Sequence, residues 1–141
     1  MGKLDSNEDK LSNSKRDLEK LEDDYHHKTM AISNKFFELE DKRTEFETML
    51  QETYEATSYN LRQDENINEE SFMTMNHIID AFQSDFDTEY TKEKRRLTAL
   101  EEETNQKYSK KRQLLEEKID HLMSERRDYG NPWRLCFIRS L

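Results

Sequence analysis

Glycine, proline and cysteine are all scarce in this sequence, and each scarcity excludes a class of fold. The 141 residues include two Gly, one Pro and one Cys. Sheets and loop-rich folds need glycine and proline at their turns, and here the single proline stands at position 132. The lone Cys136 has no partner for an internal disulfide, so nothing marks an oxidising compartment. Long uninterrupted helix is the structure that remains.

Hydrophobic residues are also few. They make up 32% of the chain, whereas charged residues make up 39%, against roughly a quarter in an average globular domain. A large compact core is therefore not expected, and the length allows one domain at most. Seven Phe, six Tyr and regularly spaced leucines nevertheless give the chain more to bury than a disordered sequence has. These apolar residues predict an ordered chain in which helices pair to bury them.

The net charge of −9 lies mostly in the first half of the chain. Residues 1–70 hold 10 Lys/Arg against 19 Asp/Glu, while residues 71–141 hold 13 of each. Nucleic-acid binding needs clustered cations that replace the counterions of the phosphates, so no nucleic-acid partner is expected. No signal peptide or membrane-spanning run is visible. We expect a cytoplasmic location, or export together with a partner.

Apolar residues recur every seven positions through the first half of the chain. This spacing predicts one stripe along a helix, as in the seam of a coiled coil. The repeat consists of Leu4, Leu11, Leu18, Tyr25, Ile32, Leu39 and Phe46, with Leu21, Phe36, Met49 and Leu50 in a companion stripe. The stripe continues through Tyr54 to Leu61. Helix one is therefore predicted at about 3–62.

A polar stretch without helical spacing follows, and it predicts a turn at about 63–70. Helix two is predicted at about 71–128, with Asn68 or Ser71 as its N-cap. Its apolar positions are Phe72, Met75, Ile79, Phe82, Phe86, Tyr90, Leu97, Leu100, Tyr108, Leu115, Ile119 and Leu122. The apolar positions in the second half of this helix are shifted by one heptad position relative to those in the first half. A helix with a period of about 3.6 residues produces such a shift.

Two arms of equal length predict an all-α fold: a long antiparallel two-helix, coiled-coil-like hairpin over residues 1–128. Folding about residue 66 places residue i near residue 132 − i. The register pairs Phe46 with Phe86, Leu50 with Phe82, Ile32 with Leu100, and Leu11 with Leu122. The predicted seam is Leu11, Leu18, Ile32, Leu39, Phe46, Leu50, Ile79, Phe86, Leu100, Leu115 and Leu122. An intermolecular coiled coil or a helix-swapped dimer stays open as an alternative.

The same register has an electrostatic consequence. It sets the acidic run Glu22, Asp23 and Asp24 beside the basic run Lys110–Arg112. Complementary charge supports this pairing, although exposed ion pairs contribute only about 0–1 kcal/mol each.

Motifs for catalysis are missing from the sequence. There is no glycine-rich phosphate loop, nucleophile elbow or Cys/His metal pattern, so we expect no enzymatic activity, no cofactor and no metal. His26 and His27 lie near Asp23 and Asp24, which are metal-ligand residue types. Adjacent residues of a helix point to different faces, however, and a solvated polar face is the favoured interpretation.

Apolar side chains are in excess near the predicted turn. Residues 36–90 hold nine of the fourteen aromatics, more than a two-helix seam can hide. At 100° per residue from the Leu39 stripe, Phe37 falls at about 160° and Tyr59 at about 200°, away from the seam. Scattered surface apolar residues without function are the plainer alternative. We predict a partner-binding surface formed by Phe37, Tyr59, Met73, Ile78 and Phe82.

The last residues form a separate apolar tail, predicted at 129–141. Tyr129-Gly130-Asn131-Pro132 breaks the helical pattern, with Gly130 as the helix stop. Trp133, Leu135, Cys136, Phe137, Ile138 and Leu141 follow. We expect this tail to dock on a partner or on Leu4 and Leu11 at the open end of the hairpin, with a disordered tail as the alternative.

The second arm reads Phe86-Asp-Thr-Glu-Tyr-Thr-Lys-Glu-Lys-Arg-Arg-Leu-Thr-Ala-Leu and later Lys110-Lys-Arg-Gln-Leu-Leu-Glu-Glu-Lys. With the two-arm layout over residues 4–128, it resembles the small α-helical accessory proteins associated with LXG-domain toxins of Gram-positive type VII secretion systems. The resemblance implies a targeting chaperone that binds the helical domain of a secreted toxin, with a second small helical protein. The aromatic-xxx-acid export signal of such partners corresponds to Phe37 and Asp41. The Trp-x-Gly turn of the related secreted hairpins is missing.

The sequence is also compatible with two other functions. Flagellar or type III export stalk subunits are also two-helix hairpins of about this size, and they couple an ATPase to an export gate. A generic coiled-coil adaptor is the third possibility. Its one positive indication is the Met-Gly-Lys-Leu-Asp-Ser start, which fits the pattern for N-myristoylation at Gly2.

Overall fold

The computed structural model describes residues 2–66 and 68–130, with side chains placed for 6–66 and 68–126. Helix α1 spans Gly2–Gln63 and helix α2 spans Glu69–Gly130. The two helices pack as a hairpin, and the described ranges contain no strand. The all-α two-helix hairpin predicted from the sequence is therefore confirmed. The side chain of Leu4 and the tail from Asn131 onward lie outside the described residues.

Helix α2 begins at Glu69 because Asn68 caps it. The Asn68 Oδ1 atom accepts the backbone N–H of Ser71 at 3.2 Å and the Ser71 hydroxyl at 3.3 Å. Glu69 and Glu70 occupy the first turn, where the helix dipole favours negative charge. Of the two candidate caps, Asn68 holds the position, so the helix starts two residues earlier than predicted.

At its other end, α2 is also longer than predicted. Tyr129 and Gly130, expected to interrupt the helix, are its last two residues. A glycine at the end of a helix costs little, since few hydrogen bonds follow it. The helix thus ends at Gly130, the residue predicted as its stop, two residues beyond the predicted end at about 128.

The described hairpin divides into two compact units. Unit 1 comprises Met1–Met30 with Glu102–Leu141, and unit 2 comprises Ala31–Glu101. Each unit contains a segment of both helices.

Unit 1 is held by a small leucine and isoleucine core. Leu11, Ile119 and Leu122 are buried together, and Leu18 packs against them. Elsewhere in this unit, the rings of Tyr25 and Tyr108 stack with centroids 3.9 Å apart and an interplanar angle of 7°. The Leu11–Leu122 proximity and the tyrosine stack each join residues whose numbers sum to 133, within one residue of the predicted register.

The seam of unit 2 depends on a second aromatic stack. The rings of Phe46 and Phe86 lie 4.2 Å apart at 5°, which is the pair that the register predicts. Nearer the turn, the Ser58 hydroxyl donates to the Met75 sulfur at 3.8 Å. The residues of unit 2 that are buried are Ile32, Leu39, Ser58, Met75 and Leu97.

All eleven residues predicted to form the seam are buried or half-buried. The companion stripe is less accurate, since Met49 and Tyr54 are both exposed. At 100° per residue from Leu39, Leu50 falls about 20° away, whereas Met49 falls about 80° to one side and Tyr54 about 60° to the other. A helix with a 3.6-residue period cannot keep all three against its neighbour.

The predicted charge pairing between the arms is only partly formed. Asp24 and Lys111 border the same hollow of unit 1, but Arg112 pairs with Glu116 on its own helix at 2.8 Å. That hydrogen bond is the main cause of the raised pKa of the Arg112 guanidinium. Among the described residues, the ion pair that joins the helices is Glu8–Arg126 at 3.6 Å. A partner one turn away on the same helix needs less side-chain ordering than one across the seam.

Ser14 provides a stability test of unit 1. It is 1% exposed, and its hydroxyl has no hydrogen-bond partner in the described part of the chain. An unsatisfied buried hydroxyl costs about 1–3 kcal/mol. We expect Ser14→Ala to raise the free energy of unfolding in urea by about 1 kcal/mol more than Ser33→Ala, an exposed serine of α1 that gains the same helix propensity. A lower stability of Ser14→Ala than of wild type would contradict this burial.

Candidate protein-binding surface

The five side chains predicted to bind a partner are all exposed, and all belong to unit 2. Their exposed fractions range from 51% for Ile78 to 67% for Phe37. Single exposed apolar residues are common on proteins. Five large exposed apolar side chains within one small unit can form a binding surface only where they lie next to one another.

The two residues on α1 do not share a patch. Phe37 and Tyr59 are 22 residues apart on one helix, which separates them by about 33 Å. The outward positions between them include the exposed polar residues Asp41, Thr48 and Glu52. Each is therefore an isolated aromatic side chain on the outer face of α1.

On α2 the geometry brings two of the predicted residues together. Ile78 and Phe82 are four residues apart, and therefore neighbours on one helix face. Phe82 was also expected to face Leu50 in the seam, but it is 58% exposed. It lies about 60° from half-buried Ile79, at the edge of the seam. Met73 lies about 120° from Ile79 in the opposite direction and does not join this pair.

A third exposed residue, Met49 of α1, belongs with Ile78 and Phe82. The Phe46–Phe86 stack sets position 49 across from position 83. Met49 is rotated from the α1 seam in the same sense as Ile78 and Phe82 are from the α2 seam, by about 60–100° in each case. Between antiparallel helices, rotations of the same sense lead to the same flank. We call Met49, Ile78 and Phe82 the flank patch.

The surroundings of the flank patch differ at its two ends. Towards the turn, the same flank carries the uncharged exposed residues Thr53 and Ala56, and Glu52 lies about 60° from Met49 towards the outer face of α1. Away from the turn, Glu45 and Asp85 follow within one helical turn of Met49 and Phe82. The patch is thus apolar at its centre and has two carboxylates at the end away from the turn.

A polar cluster elsewhere in unit 2 fixes how the helices are rotated. The Tyr90 hydroxyl of α2 donates to the Glu40 carboxylate of α1. The Arg43 guanidinium lies 5.2 Å from the centre of the Tyr90 ring and the Lys94 ammonium 5.6 Å. Tyr90 and then Glu47 raise the pKa of Arg43 through hydrogen bonds. Because this cluster contacts both helices, it limits their rotation and keeps the flank patch facing outward.

Other candidate sites have no comparable geometry. The rings of His26 and His27 lie 6.2 Å apart at 52°. In the ranges that the structure describes, no group of three or more His, Cys, Asp or Glu residues is arranged to hold a metal ion. No described helix combines the length and apolar character needed to cross a bilayer. A hollow of about 780 Å³ beside α2 is lined by polar residues, among them Asp80, Asp87 and Arg95.

Comparison with known proteins adds no functional assignment. No protein-family model, curated protein or solved structure matches this chain.

Five exposed large hydrophobic residues were not part of the predicted surface, and Met49 and Leu114 are the two that a sequence signal could have revealed. Met49 was assigned to the companion stripe, and Leu114 of unit 1, which is 67% exposed, was assigned to no stripe. Each stands beside another apolar residue, Leu50 and Leu115 respectively. Neighbouring residues on a helix point about 100° apart, so only one member of each pair can face the seam. Such doublets are the signal that would have revealed both.

Stability measurements can separate the seam from the exposed surface. Phe46→Ala removes a half-buried, stacked ring and should lower the free energy of unfolding by about 2 kcal/mol. Phe37→Ala and Tyr59→Ala remove rings that contact little, and each should change it by less than about 0.5 kcal/mol. Urea unfolding followed by circular dichroism measures all three. If Phe46→Ala and Phe37→Ala lowered the free energy of unfolding equally, Phe46 would not be a seam residue distinct from the exposed Phe37.

Proposed function

We propose that this chain is a non-enzymatic protein-binding accessory factor. Its partner is the helical targeting domain of a secreted toxin, which it prepares for type VII secretion as a targeting chaperone. The observation that carries the proposal is the flank patch, where Met49, Ile78 and Phe82 are each more than half exposed on one flank of unit 2. The choice of partner is supported by the resemblance of the two arms to LXG-associated accessory proteins.

The chemistry of the flank patch favours a helix as the bound element. Ile78 and Phe82 one turn apart, with Met49 across the seam, form a shallow apolar strip that runs along the helices. An amphipathic helix with apolar residues at i, i+3 or i+4 and i+7 fits such a strip. Methionine adapts readily to an incoming side chain. The acidic end at Glu45 and Asp85 would pair with a Lys or Arg of the partner.

Magnitudes indicate that one partner helix is not the whole interface. Fully burying a side chain of this size contributes about 1.5–3 kcal/mol. Since nearly half of each is already covered, the three together contribute roughly 2.5–5 kcal/mol. A micromolar complex requires about −8 kcal/mol after the cost of association. The partner must therefore also cover residues outside the patch, of which Met73, Phe37 and Tyr59 are the most apolar. A bundle of several helices meets this requirement.

A binding experiment tests the proposal directly. The full chain is co-expressed with an LXG-domain toxin, and co-elution is followed by mass-resolved chromatography. We expect a stable complex with wild type and at least about tenfold weaker binding for Phe82→Ser, since one apolar anchor is worth about 1.4 kcal/mol or more. Met30→Ser is the matched control, because Met30 is 50% exposed but lies in unit 1.

Two outcomes would contradict the proposal. An unchanged elution profile on mixing would reject the toxin domain as partner. Equal weakening by Met30→Ser and Phe82→Ser would reject the flank patch as the binding surface. Binding to an export ATPase ring in place of the toxin domain would favour the stalk function instead.

A further inference from the structure

Unit 1 contains an apolar groove that the proposed function does not use. Leu21 of α1 and Leu114 and Leu115 of α2 line a hollow of about 380 Å³. Leu114 is 67% exposed, while Leu21 and Leu115 are half-buried. We call these three residues the leucine groove. Removing Leu114 from water would be favourable, and the charges around the groove indicate what can cover it.

The α1 side of the groove carries charged side chains in a symmetrical order. Taking the Leu18 stripe as zero at 100° per residue, these side chains and Leu21 are rotated in one sense by about 60–120°. In chain order the residues are Lys10, Asp17, Leu21, Asp24 and Lys28. The four charged residues are exposed, and none has an ion-pair partner among the described residues. This α1 strip therefore reads positive, negative, apolar, negative, positive.

The α2 side of the groove carries the opposite order. Rotated from Leu115 in the same sense, by about 40–120°, are Glu103, Lys111, Leu114, Lys118 and Glu125. Lys107 lies on this strip too, but Glu103 pairs with it at 2.7 Å. Lys111 and Lys118 have no ion-pair partner in the described ranges. The α2 strip therefore reads negative, positive, apolar, positive, negative, with its two inner lysines unpaired.

The two strips also match in position along the helices. In unit 1, residues at the same height on α1 and α2 have numbers that sum to 133, as the seam contacts show. The inner residues of the α1 strip, at 17, 21 and 24, are therefore level with positions 116, 112 and 109. Each of these positions is two residues, about 3 Å, from its counterpart on the α2 strip. The counterparts are Lys118, Leu114 and Lys111.

Two copies of the chain can use this match in one arrangement. If the flanks met with α1 on α1 or α2 on α2, carboxylates would face carboxylates or lysines would face lysines, which is unfavourable. A twofold axis parallel to the helices instead places α1 of each copy on α2 of the other, at the same height. Opposite charges then face each other, and Leu21 of each copy faces Leu114 of the other. Every neighbouring pair of helix segments is antiparallel, as in many four-helix bundles.

Lys20, which also borders the groove, does not oppose this arrangement. It is rotated about 160° from Leu18, at the outer rim of the strip. Glu117 is rotated about 160° from Leu115 in the same sense. In the paired arrangement these two outer positions lie on the same rim, within about one helical turn. A positive charge of one copy therefore approaches a negative charge of the other there as well.

We propose that a second copy of this chain covers the leucine groove, in a dimer whose twofold axis runs parallel to the helices of unit 1. Leu114 of each copy contacts Leu21 of the other. Asp17 and Asp24 of each copy pair with Lys118 and Lys111 of the other. This contact belongs to unit 1, and it depends neither on the toxin domain nor on the flank patch.

The size of the interface predicts a weak dimer. The α1 strip from Lys10 to Lys28 is about 27 Å long, and two adjacent helices are roughly 20 Å wide. The facing area is therefore about 540 Å² per copy, or about 1,100 Å² in total, near the lower limit for a specific interface. With few leucines at its centre, we expect a dissociation constant on the order of 100 μM.

Sedimentation of the full chain over a range of concentrations tests the apolar contact. We expect the dimer fraction of the wild type to rise with concentration, and Leu114→Ser to weaken association at least about tenfold, because each dimer loses two apolar anchors. Met30→Ser is the matched control. Met30 is 50% exposed in unit 1 but is rotated from Leu18 in the opposite sense, by about 120°, so association should stay at its wild-type value.

Charge-reversed variants test the pairing between copies. Asp24→Lys and Lys111→Asp each place like charges face to face in a homodimer, so each alone should associate about tenfold more weakly than wild type at low salt. When the two variants are mixed, opposite charges face each other at both contacts. The mixture should therefore dimerise about as strongly as wild type. Misfolded variants could not recover in this way.

Three results would overturn the proposal. A wild-type chain that stays monomeric at about 1 mM would leave the groove open to water. Undiminished association of Leu114→Ser would show that another surface forms the dimer. Weak association of both charge variants without recovery in the mixture would show that Asp24 and Lys111 do not meet between copies.

Discussion

Stacked aromatic rings across the seam are the contacts on which the register of this hairpin depends. Phe46 and Phe86 stack in unit 2, and Tyr25 and Tyr108 stack in unit 1. Aliphatic seam residues tolerate sliding by a turn, whereas two flat rings in parallel contact have few equivalent positions. Slippage by one turn would also break the Tyr90–Glu40 hydrogen bond. The position of every exposed residue relative to the other helix follows from this register.

A seam between only two helices leaves much of each helix uncovered. Seven hydrophobic residues are buried in the described part of the chain, while ten large ones remain exposed. A third helix is the usual means of covering such residues in a bundle. In unit 2 the uncovered residues include the flank patch, and in unit 1 they include Leu114. The proposed function assigns a partner helix as the cover of the flank patch.

Much of the fold could be predicted because the governing rules are local. A near-absence of glycine and proline, with a seven-residue repeat from Leu11 to Phe46, is enough to predict paired helices and their register. The exposure of Phe37 and Tyr59 follows from the same helical geometry. Which member of a doublet faces the seam could not be predicted, since the seven-residue repeat drifts against the 3.6-residue helix by about 20° per heptad. That drift decides between Met49 and Leu50. The pairing of Arg112 with Glu116 could not be predicted either, because it depends on side-chain conformations that sequence spacing does not determine.

The flank patch is the proposed contact with a helical partner. Site-specific photo-crosslinking tests it most directly, with a photoreactive amino acid placed at position 82 and, in a second protein, at position 30. The account predicts that the probe at 82 crosslinks to an apolar helix face of the toxin's targeting domain, and that the probe at 30 gives little product. Crosslinks from position 30 with none from position 82 would contradict it.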